Sequence, residues 1–177
     1  MPNNADQNSD NGNPVGGIPG LGVFERRRIE AGVLGPMLSA FRDRFGEAET
    51  RETATEVITQ LAREQGAEMA TFLGADDLET FAANKDPWRK GGALDFEELE
   101  KSKTSYSFNV TRCGYADMYR KMGFGDFGDI FSCTRDFEFS RGFNPRIKLT
   151  RKQTIMKGDA MCTFRYTLED DQDSNIE

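Results

Sequence analysis

An α+β fold, with N-terminal helices packed on a small antiparallel sheet formed by the C-terminal half, is predicted by three features of this sequence. Apolar residues between Val23 and Leu73 recur at three-to-four-residue spacing, the period of an amphipathic helix. After Ser102 the period falls to two, with Tyr106, Phe108 and Val110 alternating with polar neighbours as in a strand. Two further alternating runs, 147–156 and 160–168, flank Lys157-Gly158-Asp159, which is a β-hairpin signature. Helices first and strands later fit α+β better than an alternating α/β pattern.

Residues 1–21 are rich in Asn, Asp, Gly and Pro and are expected to form a disordered tail, because they carry too little apolar surface to offset ordering entropy. The single folded domain is expected over 22–168. Its first helix carries Phe24, Ile29, Val33, Leu34, Met37, Leu38, Phe41 and Phe45 as a core-packing stripe. Gly35-Pro36 predicts a break or kink within it, and Gly46 ends it. A second helix runs from Glu47 to Leu73, with Ala54, Val57, Ile58, Leu61, Met69 and Phe72 on its core face and Gly74 as its C-cap. Asp76 and Glu79 read as a capping box for a short helix through Phe81. Asp86-Pro87-Trp88 and Gly91-Gly92 mark a loop that could border a pocket. Cys113 ends the strand begun near Ser105, and Tyr115, Met118, Tyr119 and Met122 return to helical spacing. Residues 126–139 fit helix or strand, and Gly142-Phe143-Asn144-Pro145 reads as a turn. The acidic run in 169–177 reads as a second, solvated tail.

Composition narrows the function. A net charge of −7 argues against nucleic acid or an anionic membrane as partner, since both select basic faces. No segment approaches the roughly 20 apolar residues of a membrane span. The N-terminus lacks a secretory pattern, and three cysteines fit a reducing compartment, so a cytoplasmic location is expected. The chain has no histidine, which excludes Ser-His-Asp and Cys-His catalysis and histidine-bound zinc. Any acid or base must be a carboxylate, cysteine, lysine or tyrosine. No cofactor is expected: GxxxxGK[ST] is absent, and Gly123-Phe124-Gly125-Asp126-Phe127-Gly128 lacks the strand that a dinucleotide loop follows. The expected partner is a small-molecule substrate, and an apolar face of the long helices leaves room for a homo-oligomer.

Hairpin parity gives the sharpest reading of the residues. With a two-residue turn, Ile147, Leu149, Arg151 and Gln153 share a face with Cys162, Phe164 and Tyr166. Arg151 and Gln153 then point inward beside Cys162. A buried arginine needs a carboxylate, either a ligand's or the protein's own, such as Asp136. Beside an arginine, Cys162 gains thiolate character and becomes a nucleophile candidate. In Cys133-Thr134-Arg135-Asp136, Cys133 and Asp136 share a face if the segment is helical. Asp136 lies among Phe131, Phe137 and Phe139: an apolar setting would raise its pKa, a salt bridge would lower it. Cys113, Cys133 and Cys162 contain no CxxC unit, so no metal is expected.

These segments resemble the L-2-amino-thiazoline-4-carboxylic acid hydrolase family. The carrying strings are NVTRCGYADMYRKMG (109–123), SCTRDF (132–137), GFNPRIKLTRKQTIMKG (142–158) and CTFRY (162–166), with GPMLSAFRDRFG (35–46) and DPW (86–88) in the helical part. The resemblance implies hydrolytic opening of a cyclic isothiourea that bears a carboxylate, giving a carbamoyl-cysteine. Catalytic candidates are then Cys162, Asp136, Cys113 and Cys133. Substrate-binding candidates are Arg112, Tyr115, Arg135, Asn144, Arg151 and Gln153. The sequence departs from the family pattern where Met161-Cys162-Thr163 stands in place of the family's frequent His-Cys-Asp.

Overall fold

The computed structural model describes residues 21–170; the expected tails lie outside these residues apart from Leu21, Glu169 and Asp170. Helix α1 (Val23–Phe45) passes through Pro36 as one element, so the expected break does not occur. Helix α2 (Glu47–Leu73) follows after Gly46, whose φ of 92° allows the chain to reverse, and it closes at the left-handed Gly74. Helix α3 (Leu78–Ala83) is capped by Asp77 rather than by Asp76. The Asp77 carboxylate accepts from the Thr80 N–H at 2.8 Å and from the Thr80 hydroxyl, so the box is shifted by one residue. A single turn, α4 (Asp86–Arg89), occupies the expected Trp88 loop.

The sheet has strand order β1-β2-β4-β3 and is antiparallel throughout: β1 (Leu94–Lys101), β2 (Ser105–Cys113), β3 (Ile147–Thr150) and β4 (Cys162–Leu168). Between β2 and β3 lie α5 (Gly114–Lys121), a wide π-type turn over Asp129–Cys133, and α6 (Thr134–Phe143). The stretch that fitted helix or strand is therefore helical, and the expected turn at Gly142 is the last turn of α6.

The apolar stripe of α1 packs into the core only in part, through Phe24, Leu34 and Leu38. Val23, Arg27, Ala31, Gly35 and Leu38 face inward, whereas Ile29, Val33, Met37, Phe41 and Phe45 are exposed. The exposed row stands two residues, about 200° of helix, from the buried row Arg27, Ala31 and Gly35, so it lies on the opposite face of α1. The inward face is instead built of small residues that permit close approach. The Phe124 ring occupies the space a Cβ on Gly35 would need. Likewise α2 buries Ile58, Ala62 and Met69 and exposes Val57, Leu61 and Phe72.

Helices α2 and α6 cross in backbone contact. A Cβ on Gly66 would overlap the Phe139 carbonyl and the Phe143 nitrogen, and one on Gly142 would overlap the Arg63 carbonyl. Glu138 fastens the crossing by accepting from Arg63 and from Arg141. The inner sheet face carries Tyr106, Phe108 and Val110 from β2 and Cys162, Phe164 and Tyr166 from β4, all buried. Phe108 stacks on Phe164 with centroids 4.7 Å apart.

Candidate functional site

Sheet and helices enclose a cavity of about 110 Å³. Its walls are mainly aromatic: Phe108, Phe164 and Tyr166 come from the sheet, Phe139 from α6, Trp88 from α4 and Tyr115 from α5. The Tyr115 hydroxyl donates to the Trp88 carbonyl at 3.1 Å, tying two walls together. Because protein excludes water from most of this space, each charged group within it must be paired or must shift its pKa.

Arg151 reaches the cavity, although the tight hairpin turn expected at Lys157-Gly158-Asp159 does not form. Residues 151–161 instead make a long connection that includes a 3-10 turn at Ile155–Lys157, and β4 begins only at Cys162. The register Ile147↔Leu168, Leu149↔Tyr166 and Thr150↔Arg165 keeps odd-numbered residues of β3 on the inner face. Strand β3 ends at Thr150, and Arg151 continues inward with its guanidinium 5.0 Å from the Phe164 centroid and 4.9 Å from that of Phe137. Its Nη1 donates to Asp136 Oδ2 at 2.5 Å and its Nη2 to the Cys133 carbonyl at 2.9 Å. The Asp136 side chain is 28% accessible and lines the cavity. Burial pushes the Asp136 carboxyl up, against the pull of Arg151 and Lys85. Burial alone would lower the pKa of Arg151, and the Asp136 charge raises it instead.

The three cysteines all line the cavity and are free thiols. The Cys162 sulfur accepts from the Ile155 N–H at 3.2 Å and lies 3.7 Å from the Thr154 hydroxyl. The same hydroxyl is 3.7 Å from the Cys133 sulfur, so buried Thr154 bridges two of the thiols. Burial pushes Cys113 up to about 11, although N–H groups at the start of α5 oppose the rise. Burial and the Asp136 charge push Cys133 up to about 12. Among the described residues, no three histidine, cysteine or acidic side chains are placed to hold a metal ion.

A second charged cluster, around Glu30, brings Arg27 and Arg135 to the same cavity. Arg27 Nη1 donates to Glu30 Oε2 at 2.6 Å, and Arg135 Nη2 lies 3.6 Å from the same oxygen. Arg135 also donates to the Phe131 carbonyl at 3.0 Å, and burial with the nearby Arg27 charge pulls its pKa down to about 10. Burial would raise the Glu30 carboxyl, and the arginines around it outweigh burial and lower it.

Of the sequence candidates, the structure gathers Cys113, Cys133, Cys162, Asp136, Tyr115, Arg135 and Arg151 around one cavity. Three candidates lie elsewhere. Arg112 is on the exposed outer side of the β1–β2 ladder, where its Nε pairs with Asp95 at 2.7 Å. Asn144 is buried as a structural tie, its amide donating to the Asp76 carbonyl and its oxygen accepting from the Arg146 N–H. Gln153 is exposed, because the strand stops at Thr150 and the chain turns outward. There the Thr163 hydroxyl accepts from the N–H groups of Lys152 and Gln153.

Lys85, Arg27 and Thr154 were not foreseen. Arg27 had a legible signal, since it falls in helical register with Val23, Ala31 and Leu38. No local pattern marks Lys85 beyond its position beside the Trp88 turn. Its ammonium lies 3.1 Å above the Phe81 ring centroid, and burial drives its pKa well below the usual lysine range, against the Asp136 charge.

Fold and cavity together define a small α+β protein in which helices cover one sheet face around an aromatic chamber that contains buried charge. The chain belongs to the L-2-amino-thiazoline-4-carboxylic acid hydrolase family, whose family model matches residues 26–166. No curated protein matches the chain. Among solved structures it is similar to a trafficking protein particle complex subunit 3 from Naegleria fowleri, covalently bound to palmitic acid. That likeness has 12% identity and a TM-score of 0.51, over 82% of this chain and 96% of that one. It is also similar to the phenol-responsive sensory domain of the transcription activator PoxR with phenol, at 13% identity and a TM-score of 0.45, over 76% of this chain and 72% of that one. At 12% identity the first likeness concerns the fold alone. Among the described residues no helix is long and apolar enough to cross a membrane.

Proposed function

We propose that this protein hydrolyses a small carboxylate-bearing heterocycle, a cyclic amidine or isothiourea such as 2-amino-thiazoline-4-carboxylate, by adding water at the ring C=N carbon. One observation carries the reading. Five cations, Arg27, Lys85, Arg89, Arg135 and Arg151, line a cavity of single-ring size, against the carboxylates Glu30, Asp86 and Asp136. Excess positive charge in an apolar chamber favours an anionic ligand, and the aromatic walls favour a flat ring. The family's name supplies the reaction class.

The chemistry follows from the groups available. Protonation of the ring nitrogen makes the amidine carbon more electrophilic. Asp136, held by Arg151, is the group to bind the amidinium and to exchange a proton with it or with the attacking water. Water adds to the carbon, the ring C–N bond breaks, and the departing nitrogen takes the proton, leaving a carbamoyl-cysteine one water heavier than the substrate. Cys162, oriented by the Ile155 N–H, is the nucleophile of a covalent variant, in which its sulfur adds first and water releases the product.

A second reading is a non-catalytic small-molecule-binding relative. It is favoured by Cys113 and Cys133, which burial holds as thiols, and by the engagement of Asp136 with Arg151. Mass spectrometry after incubation with L-2-amino-thiazoline-4-carboxylate separates the two. A product 18 mass units heavier is expected; intact substrate beside an active control hydrolase refutes the proposed reaction. Full turnover by Cys162→Ala would remove the covalent variant and leave direct attack by water.

A further inference from the structure

Four of the five cavity cations already have a carboxylate. Arg151 is bonded to Asp136, Arg27 and Arg135 share Glu30, and Arg89 lies 3.5 Å from Asp86. Lys85 has none within ion-pair distance among the described residues. Its nitrogen is instead boxed by rings, with centroids at 3.1 Å for Phe81, 5.2 Å for Trp88, 5.5 Å for Tyr166 and 5.9 Å for Phe139. Aromatic faces stabilise an ammonium only partly, and they donate no lone pair to its three N–H bonds. Asp136 is close enough to act on Lys85 through its field, but its carboxylate is engaged by Arg151. Lys85 and Asp136 both line the cavity, so an anion bound there meets an ammonium whose hydrogen-bonding capacity is unspent.

We propose that Lys85 is the carboxylate anchor of this pocket, a specificity-determining residue that holds the anionic group of a small ring-bearing ligand while the aromatic walls hold the ring. The assignment rests on the reading that the cavity takes an anionic heterocycle, and it adds which cation selects the charge. It accounts for the placement of a lysine among four rings, where an apolar residue would pack without cost. It also leaves the Arg151–Asp136 pair intact when ligand binds, free to serve the reacting atoms. The other cations then act as the fixed field of the site.

The test measures binding, not turnover. Thiazole-4-carboxylate and its neutral isostere thiazole-4-carboxamide are titrated calorimetrically into wild type, Lys85→Met and Lys85→Gln. Methionine preserves the apolar stem, and glutamine preserves a hydrogen-bond donor without charge. Wild type is expected to prefer the carboxylate by roughly 30-fold or more, as a desolvated charge-assisted contact gives. Both variants should lose that preference while binding the carboxamide as wild type does. Wild type without a preference for the carboxylate, or variants that retain it, overturns the anchor. The outcomes are separable from those of the hydrolysis experiment. Lys85-dependent carboxylate binding without turnover refutes the reaction alone, and turnover with an unchanged preference in the variants refutes the anchor alone.

Discussion

Replacing Asp136 by leucine removes the carboxylate that Arg151 touches and leaves a guanidinium whose side chain is only 6% exposed. Arginine cannot escape by losing its proton, so the cost is that of an unpaired buried charge, about 3–5 kcal/mol. The lower end applies, because the Cys133 carbonyl still accepts from Nη2. In a domain of this size about 3 kcal/mol lowers the melting temperature by roughly 6–12 °C. Arg151→Met strands the other partner, but Asp136 can take up a proton. Its folded pKa, already raised by burial, rises further when Arg151 is gone. Between the unfolded and folded values the native state then binds more protons than the unfolded chain, so stability falls as pH rises and recovers as pH falls. The arginine variant should therefore approach wild type towards pH 5, and the leucine variant should not. The double variant, with both charges gone, should cost no more than about 1 kcal/mol, giving a coupling of about 2 kcal/mol or more. Urea unfolding at pH 7.5 and pH 5 with a shared m-value measures all four proteins. Additive single effects within about 0.5 kcal/mol, or equal pH dependence of the two single variants, would refute a buried, mutually dependent pair.

Further outcomes follow from the same geometry. Lys85 has a folded pKa below its unfolded one, so the native state sheds its proton first and wild-type stability should gain on Lys85→Met as pH rises towards 10; urea midpoints at pH 7 and 9.5 check this, and parallel profiles contradict it. With Cys113 at about 11 and Cys133 at about 12, both should alkylate at pH 8 at least about 100-fold more slowly than in urea, as read by peptide mapping after iodoacetamide. Gly66→Ala and Gly142→Ala each drive a methyl into backbone at the α2–α6 crossing, and each should cost more than about 3 kcal/mol or abolish cooperative unfolding; a loss under 1 kcal/mol would contradict that contact. The exposed row Ile29, Val33, Met37, Phe41 and Phe45, with Val57 and Leu61, offers on the order of 600–700 Å² of apolar surface, near what one partner of a standard interface contributes. A second copy is the expected cover, so light scattering should give twice the chain mass for wild type and the single mass for Val33→Glu/Phe41→Glu.

The legible parts of the sequence are those where one face of an element has one environment. Strand β2 alternates because its inner face meets the aromatic core, and α2 could be bounded to the residue because Gly46 and Gly74 punctuate it. Strand β1 escaped notice because Leu-Asp-Phe-Glu-Glu-Leu-Glu-Lys is an edge strand, mostly exposed, whose charges keep the edge from pairing with another chain. On α1 the rule that large apolar residues point inward fails because Ala31 and Gly35 carry the close packing.

The site divides along the same line. Arg151, Asp136 and Cys162 could be singled out because strand parity or helical spacing ties each to an element, and the structure places all three at one cavity. Gln153 obeyed the same parity argument and failed, because parity lasts only as long as the strand, and β3 stops three residues before it. Lys85 sits on the turn before α4, where no period operates, and reaches the cavity only because Phe81, Phe139 and Tyr166 arrive from three other elements. Its environment is assembled wholly by tertiary structure. Side chains of this kind are invisible to pattern reading, and here that blind spot contains the one cavity cation for which the described residues supply no carboxylate.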